Sequence, residues 1–517
     1  MKKYFDVYPR VFYPSLIFIL AFVLLSILGG EPVRVFFDKT AYLVTESTGW
    51  LFILGVNLFV VICLYIAFSK YGKHRLGGKH AKPEFTVFSW FAMLFSAGMG
   101  IGLLYFSVSE PITHFANPPI PVDSVKDRAI QALDFTFLHY GLHAWAIYCI
   151  VGLSLAYYGF SKKLPFSLRS IFFPVLGRKI FGKTGDIIDV IAVVATLFGL
   201  ATSLGFGARQ IATGLNYLFG VDPGQGTQIS IIVIITLIAT ISVATGLKKG
   251  VKFLSRLNLF IALIFLVSML FLSDALSIIR IFVESTGQYF ARFIELGTFS
   301  SAYVDSSWQN DWTVFYWAWW IAWSPFVGMF IARVSKGRTV REFVLGVLLV
   351  PTLMTFFWIS VFGGSALSLE MENPGLLSEI ILSDSSTSLF VFLQEFPLPA
   401  LTSFLGIFMV AVFFVTSSDS GSLVIDSITA GGKLDAPVGQ RILWALTEGA
   451  VAIALLLGGG LKAMQTASVS TGILFLFVIF VMVYSLLKSF KRMKYFKRKR
   501  ELNGKEKKDT FVENHIQ

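Results

Sequence analysis

Four tryptophans fall within eight residues in "YWAWWIAW", Tyr316 to Trp323: Trp317, Trp319, Trp320 and Trp323. At 3.6 residues per turn, Trp319 and Trp323 stack along one helical face with Trp320 beside them. Indole faces attract cations electrostatically, each contributing about 0.5–2 kcal/mol. No lysine, aspartate or glutamate interrupts this stretch. Its best-suited guest is therefore a cation that cannot donate hydrogen bonds, chiefly a quaternary ammonium group. The competing reading is tight helix packing. A proline break at Ser324, Pro325 and Phe326, next to three mid-span indoles, favours a binding role.

A second set of residues suits a hard cation. "FFVTSSDSGSLVID" places Thr416, Ser417, Ser418 and Asp419 in an apolar run. Such hydroxyls often bond back to their own helix, but together they also make a set of oxygen ligands for Na⁺. Asp419 is costly in a membrane unless paired, and reads as structural or gating rather than as a ligand. "SAGMGIGLLYFSVSEP" carries Gly98, Gly100 and Gly102 in alternation. Each costs about 1 kcal/mol in a helix relative to alanine. They allow close helix approach, but three in alternation fit better with an unwound stretch whose free carbonyls ligate a cation at the midplane. Glu110, at the end of this stretch, is placed at or near the outer membrane face. "HYGLHAWAIY" puts Trp145 and Tyr148 on one face, and His139 and His143 four apart. Without carboxylate or thiolate partners, the histidines read as hydrogen-bonded core residues. Neither a phosphate-cradling loop nor a nucleophile–base pair is visible, so an enzyme is not expected.

The elements that hold these residues are membrane helices. The chain has 517 residues, 55% hydrophobic and 14% charged, with mean hydropathy +0.72, where a soluble domain carries about 25% charge. Cys63 and Cys149 both lie in apolar runs, which argues against a disulfide scaffold or a thiolate metal site. The first apolar run lacks a signal-peptidase pattern and reads as a retained helix. Twelve spans are expected, beginning near residues 12, 50, 86, 134, 186, 227, 256, 312, 343, 399, 441 and 467. The loops "YGKHRLGGKHAK", "SKKLPFSLRS", "GLKKG" and "RVSKGRTVRE" are basic, whereas "SLEMENPGLLSEIILSDSSTS" is acidic. The positive-inside rule then makes both termini cytoplasmic and the protein a multi-pass component of the cell membrane. "LSIIRIFVESTGQYFARFIEL" is amphipathic and suits a helix lying on the outer surface. The net charge of +12 is explained by loops and tail, so no nucleic-acid partner is expected. From Lys488, eleven Lys/Arg stand against Glu501 and Glu506 in 21 residues. This tail is an anchor on anionic lipid or a regulatory arm sensitive to ionic strength.

"GMGIGLLYFSVSEP", "WTVFYWAWWIAWSPFVGMFIARVSKGRTVREF" and "FFVTSSDSGS" closely resemble the betaine/choline/carnitine transporter family along nearly the whole chain. The resemblance implies an all-α protein with a leucine-transporter-type 5+5 inverted repeat preceded by two extra helices, assembled as a homotrimer. The divisions are 1–85 for the leading helices, 86–275 and 312–488 for the two repeats, 276–311 for the amphipathic linker, and 489–517 for the basic tail. It implies a substrate cage of Trp319, Trp320 and Trp323, completed by Trp145 and Tyr148, with Tyr140 standing where family members often have tryptophan. A Na⁺ site would use backbone oxygens of Ser96, Met99 and Phe413 and the hydroxyls of Thr416 and Ser417. A weaker second site would use Thr196 and Phe326, with Leu200 standing where a second hydroxyl would help. The arginine by which sodium-independent members replace sodium is absent from "LNLFIALIFLVSMLFL".

The expectation is a Na⁺ symporter importing a quaternary-ammonium compatible solute, glycine betaine first, with choline, carnitine and ectoine also partly suited, for osmoprotection. Na⁺ is the coupling ion and no other cofactor is implied. Its rivals are a sodium-independent exchanger, a proton-coupled choline or carnitine carrier, and an osmosensing channel or receptor. A channel needs a hydrophilic lining, which the aromatic midplane does not offer. Arg209, near the end of span five, has no assigned role.

Overall fold

The structure is a computed structural model. It describes residues 5–98, 100–245, 250–303, 307–433 and 437–513, and for 34, 95–98, 245, 250–256 and 493–513 the backbone alone. All regular structure among them is helical, apart from an isolated bridge between Arg75 and Thr339. In hydrocarbon a helix satisfies its own backbone groups, which is why apolar runs of this length fold this way.

The principal helices are α1 Pro9–Leu28, α2 Gly30–Phe68, α3 Val87–Gly98, α4 Ile101–Ala116, α5 Val125–Tyr140, α6 Leu142–Ala156 and α7 Lys183–Phe219. They continue with α8 Gln225–Thr245, α9 Gly250–Leu272, α10 Ala275–Ala291, α11 Phe315–Val334, α12 Val340–Ile359, α13 Pro399–Thr429 and α14 Val438–Glu513. Several ends follow local rules. Ser124 caps α5, Asp274 caps α10 through the amides of Leu276 and Ser277, and Thr339 with Glu342 forms a capping box on α12.

Nine helices among the described residues are long and apolar enough to cross a bilayer, or ten if α9 and α10, bent by 109°, count as one span. This count falls short of the twelve expected spans, and the helices depart from the expected ones at two places. The third is split into α3 and α4, with Gly100 extended between them (φ −138°, ψ 178°), and neither piece alone is long enough. The last two run together as α14, interrupted by non-helical Gly459 and Gly460. Along α14, Trp444 meets Phe12 at 5.7 Å, and a β-carbon at Gly458 would lie 3.2 Å from the Ser26 carbonyl. Tyr158 donates to the Ser485 carbonyl at 2.9 Å. Its first arm thus follows α1, and its second returns to the end where α1 begins.

That end gathers the basic loops. Arg169 pairs with Asp186 at 2.8 Å and Asp189 at 2.5 Å and lies over the Tyr8 ring. Lys336 meets Glu84 and Lys433 meets Asp6. Among the long apolar helices described, the one carrying the tryptophans is the most enclosed and α1 the least.

Candidate functional site: an aromatic cage and an oxygen cluster

Helix α11 reaches the broken pair α3–α4 because two glycines leave room for indoles. A β-carbon at Gly102 would lie 2.7 Å from Trp319 Cη2, and one at Gly100 would lie 3.0 Å from Trp323 Cη2. Gly199 lets the backbone of α11 approach α7: a β-carbon there would meet the Trp323 backbone nitrogen at 3.1 Å. Trp319 and Trp320 stack at 4.6 Å, and Trp320 and Trp323 lie 6.1 Å apart. Tyr148 presents its ring edge-on to both Trp320 and Trp323 at 6.4 Å. Tyr140 does so to Trp320 at 5.7 Å, and Trp145 joins through Tyr148 at 5.5 Å. The six aromatic residues singled out in the sequence are therefore neighbours, all buried. Trp319 Nε1 donates to the Gly199 carbonyl and Trp320 Nε1 to that of His139. Trp323 Nε1 is buried without an acceptor, a free donor in an otherwise apolar cluster.

A polar network backs this cage, and most of it escaped sequence reasoning. Glu110 is fully buried. Its Oε1 accepts from His139 Nδ1 at 2.6 Å and from His114 Nε2 at 3.3 Å. Its Oε2 accepts from the Tyr316 hydroxyl, which also meets the Tyr140 hydroxyl at 3.2 Å. Tyr140 in turn donates to the Gly102 carbonyl at 3.0 Å. His139 also bonds Thr313, whereas His143 bonds Asn57, so the two histidines part to different partners as core residues do. Glu110, His114 and His139 offer ligand atoms within 4.8 Å of one another; these atoms are engaged in mutual hydrogen bonds.

On α13 the Thr416 hydroxyl donates to the Val412 and Phe413 carbonyls at 2.9 and 3.1 Å and accepts from Asn258 Nδ2 at 3.5 Å. Ser417 is buried beside it. Ser418 donates to Glu448 at 2.9 Å, and Asp419 Oδ2 accepts from Ser242 at 2.6 Å. Asp419 Oδ1, Glu448 Oε1 and Asn258 Oδ1 are buried without partners. On the opposite side Met99 lies outside the described residues, and Ser96 is described by its backbone alone. Thr196 donates to its own helix at Ala192, 2.7 Å away, and Phe326 lies 5.5 Å from Trp323. Leu200 packs toward Gly421, where a β-carbon would lie 2.3 Å from Leu200 Cδ1.

Two cavities flank the tryptophan column. One, of about 550 Å³, is walled by Phe206 and Phe315, which contact Trp319 at 5.4 and 5.5 Å. The other, of about 460 Å³ and lined by Phe326, Phe330 and Ser420, opens toward the basic end at Glu84 and Lys336. The tryptophan column thus lies buried between two cavities.

Over 495 residues the chain is 47% identical to glycine betaine transporter 1 of Vibrio parahaemolyticus serotype O3:K6 (strain RIMD 2210633), covering 94% of each chain. It is 42% identical to a glycine betaine transporter of Acinetobacter baylyi (strain ATCC 33305 / BD413 / ADP1), covering 94% of this chain and 74% of that one. It is 45% identical to a glycine betaine/proline/choline/ectoine transporter of the same Vibrio strain, covering 94% and 87%. With residues 10–495 matching its family model, the chain belongs to the BCCT family, the betaine/carnitine/choline family transporters.

Proposed function

We propose that this chain imports a quaternary-ammonium compatible solute, glycine betaine first, by Na⁺ symport, and so protects the cell against osmotic stress. The observation that carries this reading is the Trp319–Trp320–Trp323 column with Tyr140 and Tyr148 edge-on to it. Ring faces suit a trimethylammonium head, and the free Trp323 N–H suits an anionic tail. Glycine betaine, which the names of these relatives include, has both ends.

Sodium would bridge the Gly98–Gly100 break and the oxygen cluster on α13, with Phe413, Thr416 and Ser417 as ligands together with Ser96 and Met99. Thr196 and Phe326 would serve a second, weaker ion. Holding two separate helices together favours the outward-open state, which substrate then closes. One Na⁺ moving down about 100 mV and a tenfold gradient yields roughly 2.3 + 1.4 kcal/mol, enough for about 500-fold accumulation of a zwitterion.

In this reading α3 with α4 is one span and the two arms of α14 are two, which gives twelve spans: two leading helices and a 5+5 inverted repeat. The basic end faces the cytoplasm with both termini, the tail meets anionic lipid, and the protein assembles as a homotrimer. The test is uptake of radiolabelled glycine betaine into proteoliposomes, with and without an inward sodium gradient. Accumulation above equilibrium only with sodium is the expected result. Counterflow indifferent to sodium would replace the symporter with an exchanger, and saturable binding without flux would replace it with a receptor.

A further inference from the structure

Arg209 has a partner. Its Nη2 lies 3.1 Å from Asp384 Oδ2, and each side chain is about one-third exposed (37% and 35%). Arg209 stands on α7, and Asp384 on the loop between α12 and α13. Both line the 550 Å³ cavity, together with the rings of Phe106, Phe206, Trp312 and Phe315. The pair is thus one ring layer from the cage, because Phe106, Phe206 and Phe315 all contact Trp319.

The pair is not what holds the loop. Asp384 Oδ1 accepts from the Ser386 amide at 3.0 Å and from its hydroxyl at 2.7 Å. Ser385 meets the Tyr105 hydroxyl and Ser386 meets Thr213. Only Oδ2 is committed to Arg209. Burial pushes the Asp384 carboxyl up, but the Ser386 hydrogen bonds and the Arg209 charge outweigh it and hold it below the ordinary aspartate range. Ion pairs this exposed contribute little net stability, so a competing carboxylate can replace Asp384 at small cost. Arginine accepts a carboxylate through a planar fork of donors, and the neighbouring rings receive an alkylammonium group.

We propose that Arg209 and Asp384 form a charge-selective docking site for zwitterions, in which the substrate's carboxylate displaces Asp384 from Arg209 on its way to the cage. The ammonium end then rests among the rings, beside the released Asp384. A plain cation such as choline offers nothing to Arg209 and gains nothing there. The inference rests on the transport reading above and names the residue that separates betaines from cationic analogues.

The experiment measures KM for glycine betaine uptake, and choline as co-substrate or competitor, in wild type, Arg209→Gln, Arg209→Lys and Asp384→Asn. Arg209→Gln should raise the betaine KM about fivefold and leave choline within about twofold. Arg209→Lys should recover part of the loss, since it keeps the charge but not the fork. Asp384→Asn keeps an oxygen for Ser386 and frees Arg209, so the betaine KM should hold or fall. If Arg209→Gln and Asp384→Asn both raise the betaine KM, or betaine and choline suffer equally, the pair is a structural strap and the proposal fails. The contrast between these two variants, a raised betaine KM in Arg209→Gln against none in Asp384→Asn, decides the matter even if choline does not compete. A wild-type protein that carries no betaine would instead overturn the transport reading, and this inference with it.

Discussion

At the scale of single residues, the proposed cage offers both ring faces and ring edges. Trp319 and Trp320 are held by indole hydrogen bonds to Gly199 and His139, so their planes are fixed before substrate arrives. Trp323 is fixed by packing alone and keeps its N–H free. Replacing Trp323 with leucine removes a ring face without emptying the site, and should weaken glycine betaine binding by about 1–2 kcal/mol, roughly five- to thirtyfold in Kd. Trp320→Leu should do the same and also release the His139 carbonyl. Titration of the purified protein, followed by its remaining tryptophan fluorescence, is the check; unchanged affinity in both variants would remove the cage. His74 offers a test outside the spans. Burial beside Tyr157, and then the charge of Lys162, lower its pKa below the ordinary 6.5. Above about pH 6.5 the ring is neutral in both the folded and the unfolded chain and its support of the fold is full; as pH falls through 6.5 toward the lowered folded value, the unfolded chain takes up the proton first and that support is lost. Hydrogen exchange in the 70–78 loop, corrected for intrinsic rates, should therefore quicken between about pH 7.5 and pH 5. His74→Gln should flatten that dependence.

At the scale of elements, the broken α3–α4 pair shows how far a sequence can be read. Alternating glycines fit two interpretations, close approach or an unwound turn, and the described residues on either side of Met99 bear on each. Gly100 is extended, and Gly100 and Gly102 each face an indole edge. The tryptophan face was legible because helical periodicity brings Trp319, Trp320 and Trp323 together within one element. The network behind it was not, because Glu110, His139, Tyr140 and Tyr316 lie on three separate helices. Nothing local in "SVSEP" marks Glu110 as a buried acceptor for two histidines and a phenol. The partner of Arg209 was illegible for the same reason: helix α7 and the 384 loop are brought together only by the fold. Two predictions belong here. Gly102→Ala places a methyl 2.7 Å from the rigid edge of Trp319. Overpacking of this kind costs about 1–3 kcal/mol, so substrate affinity should fall although no contacting side chain has been removed. An alanine variant with wild-type Kd would mean that α11 can shift freely. Thr416→Ala with Ser417→Ala removes two hydroxyls from α13 and should raise the sodium concentration for half-maximal uptake. An unchanged sodium dependence would move the ion elsewhere.

At the scale of the whole molecule, the basic tail is continuous with the bundle. Helix α14 runs without a loop from its second arm to Glu513, so a charge on the tail is borne by the same rod that packs along the core. That rod is tied down just before the basic run. Tyr158 donates to the Ser485 carbonyl and meets the Ser489 hydroxyl at 2.7 Å, and Phe490 stacks on Tyr71 at 5.1 Å. Ending the chain before Lys491 keeps all three contacts and removes most of the positive charge. Binding in the cage should therefore be unaltered, with the same Kd for glycine betaine. Lysines and arginines near an anionic leaflet each contribute about 1 kcal/mol of attraction, screened within roughly 8 Å at physiological salt. An arm held by such forces loosens as ionic strength rises in a shrinking cell, whereas a passive anchor has no such consequence for transport. Uptake by the truncated protein, in proteoliposomes of graded anionic lipid content and stepped external osmolality, separates the two. A regulatory arm predicts that truncation abolishes the dependence of the activation threshold on lipid charge. A threshold that still tracks lipid charge after truncation would leave the tail as an anchor and place the sensor within the bundle.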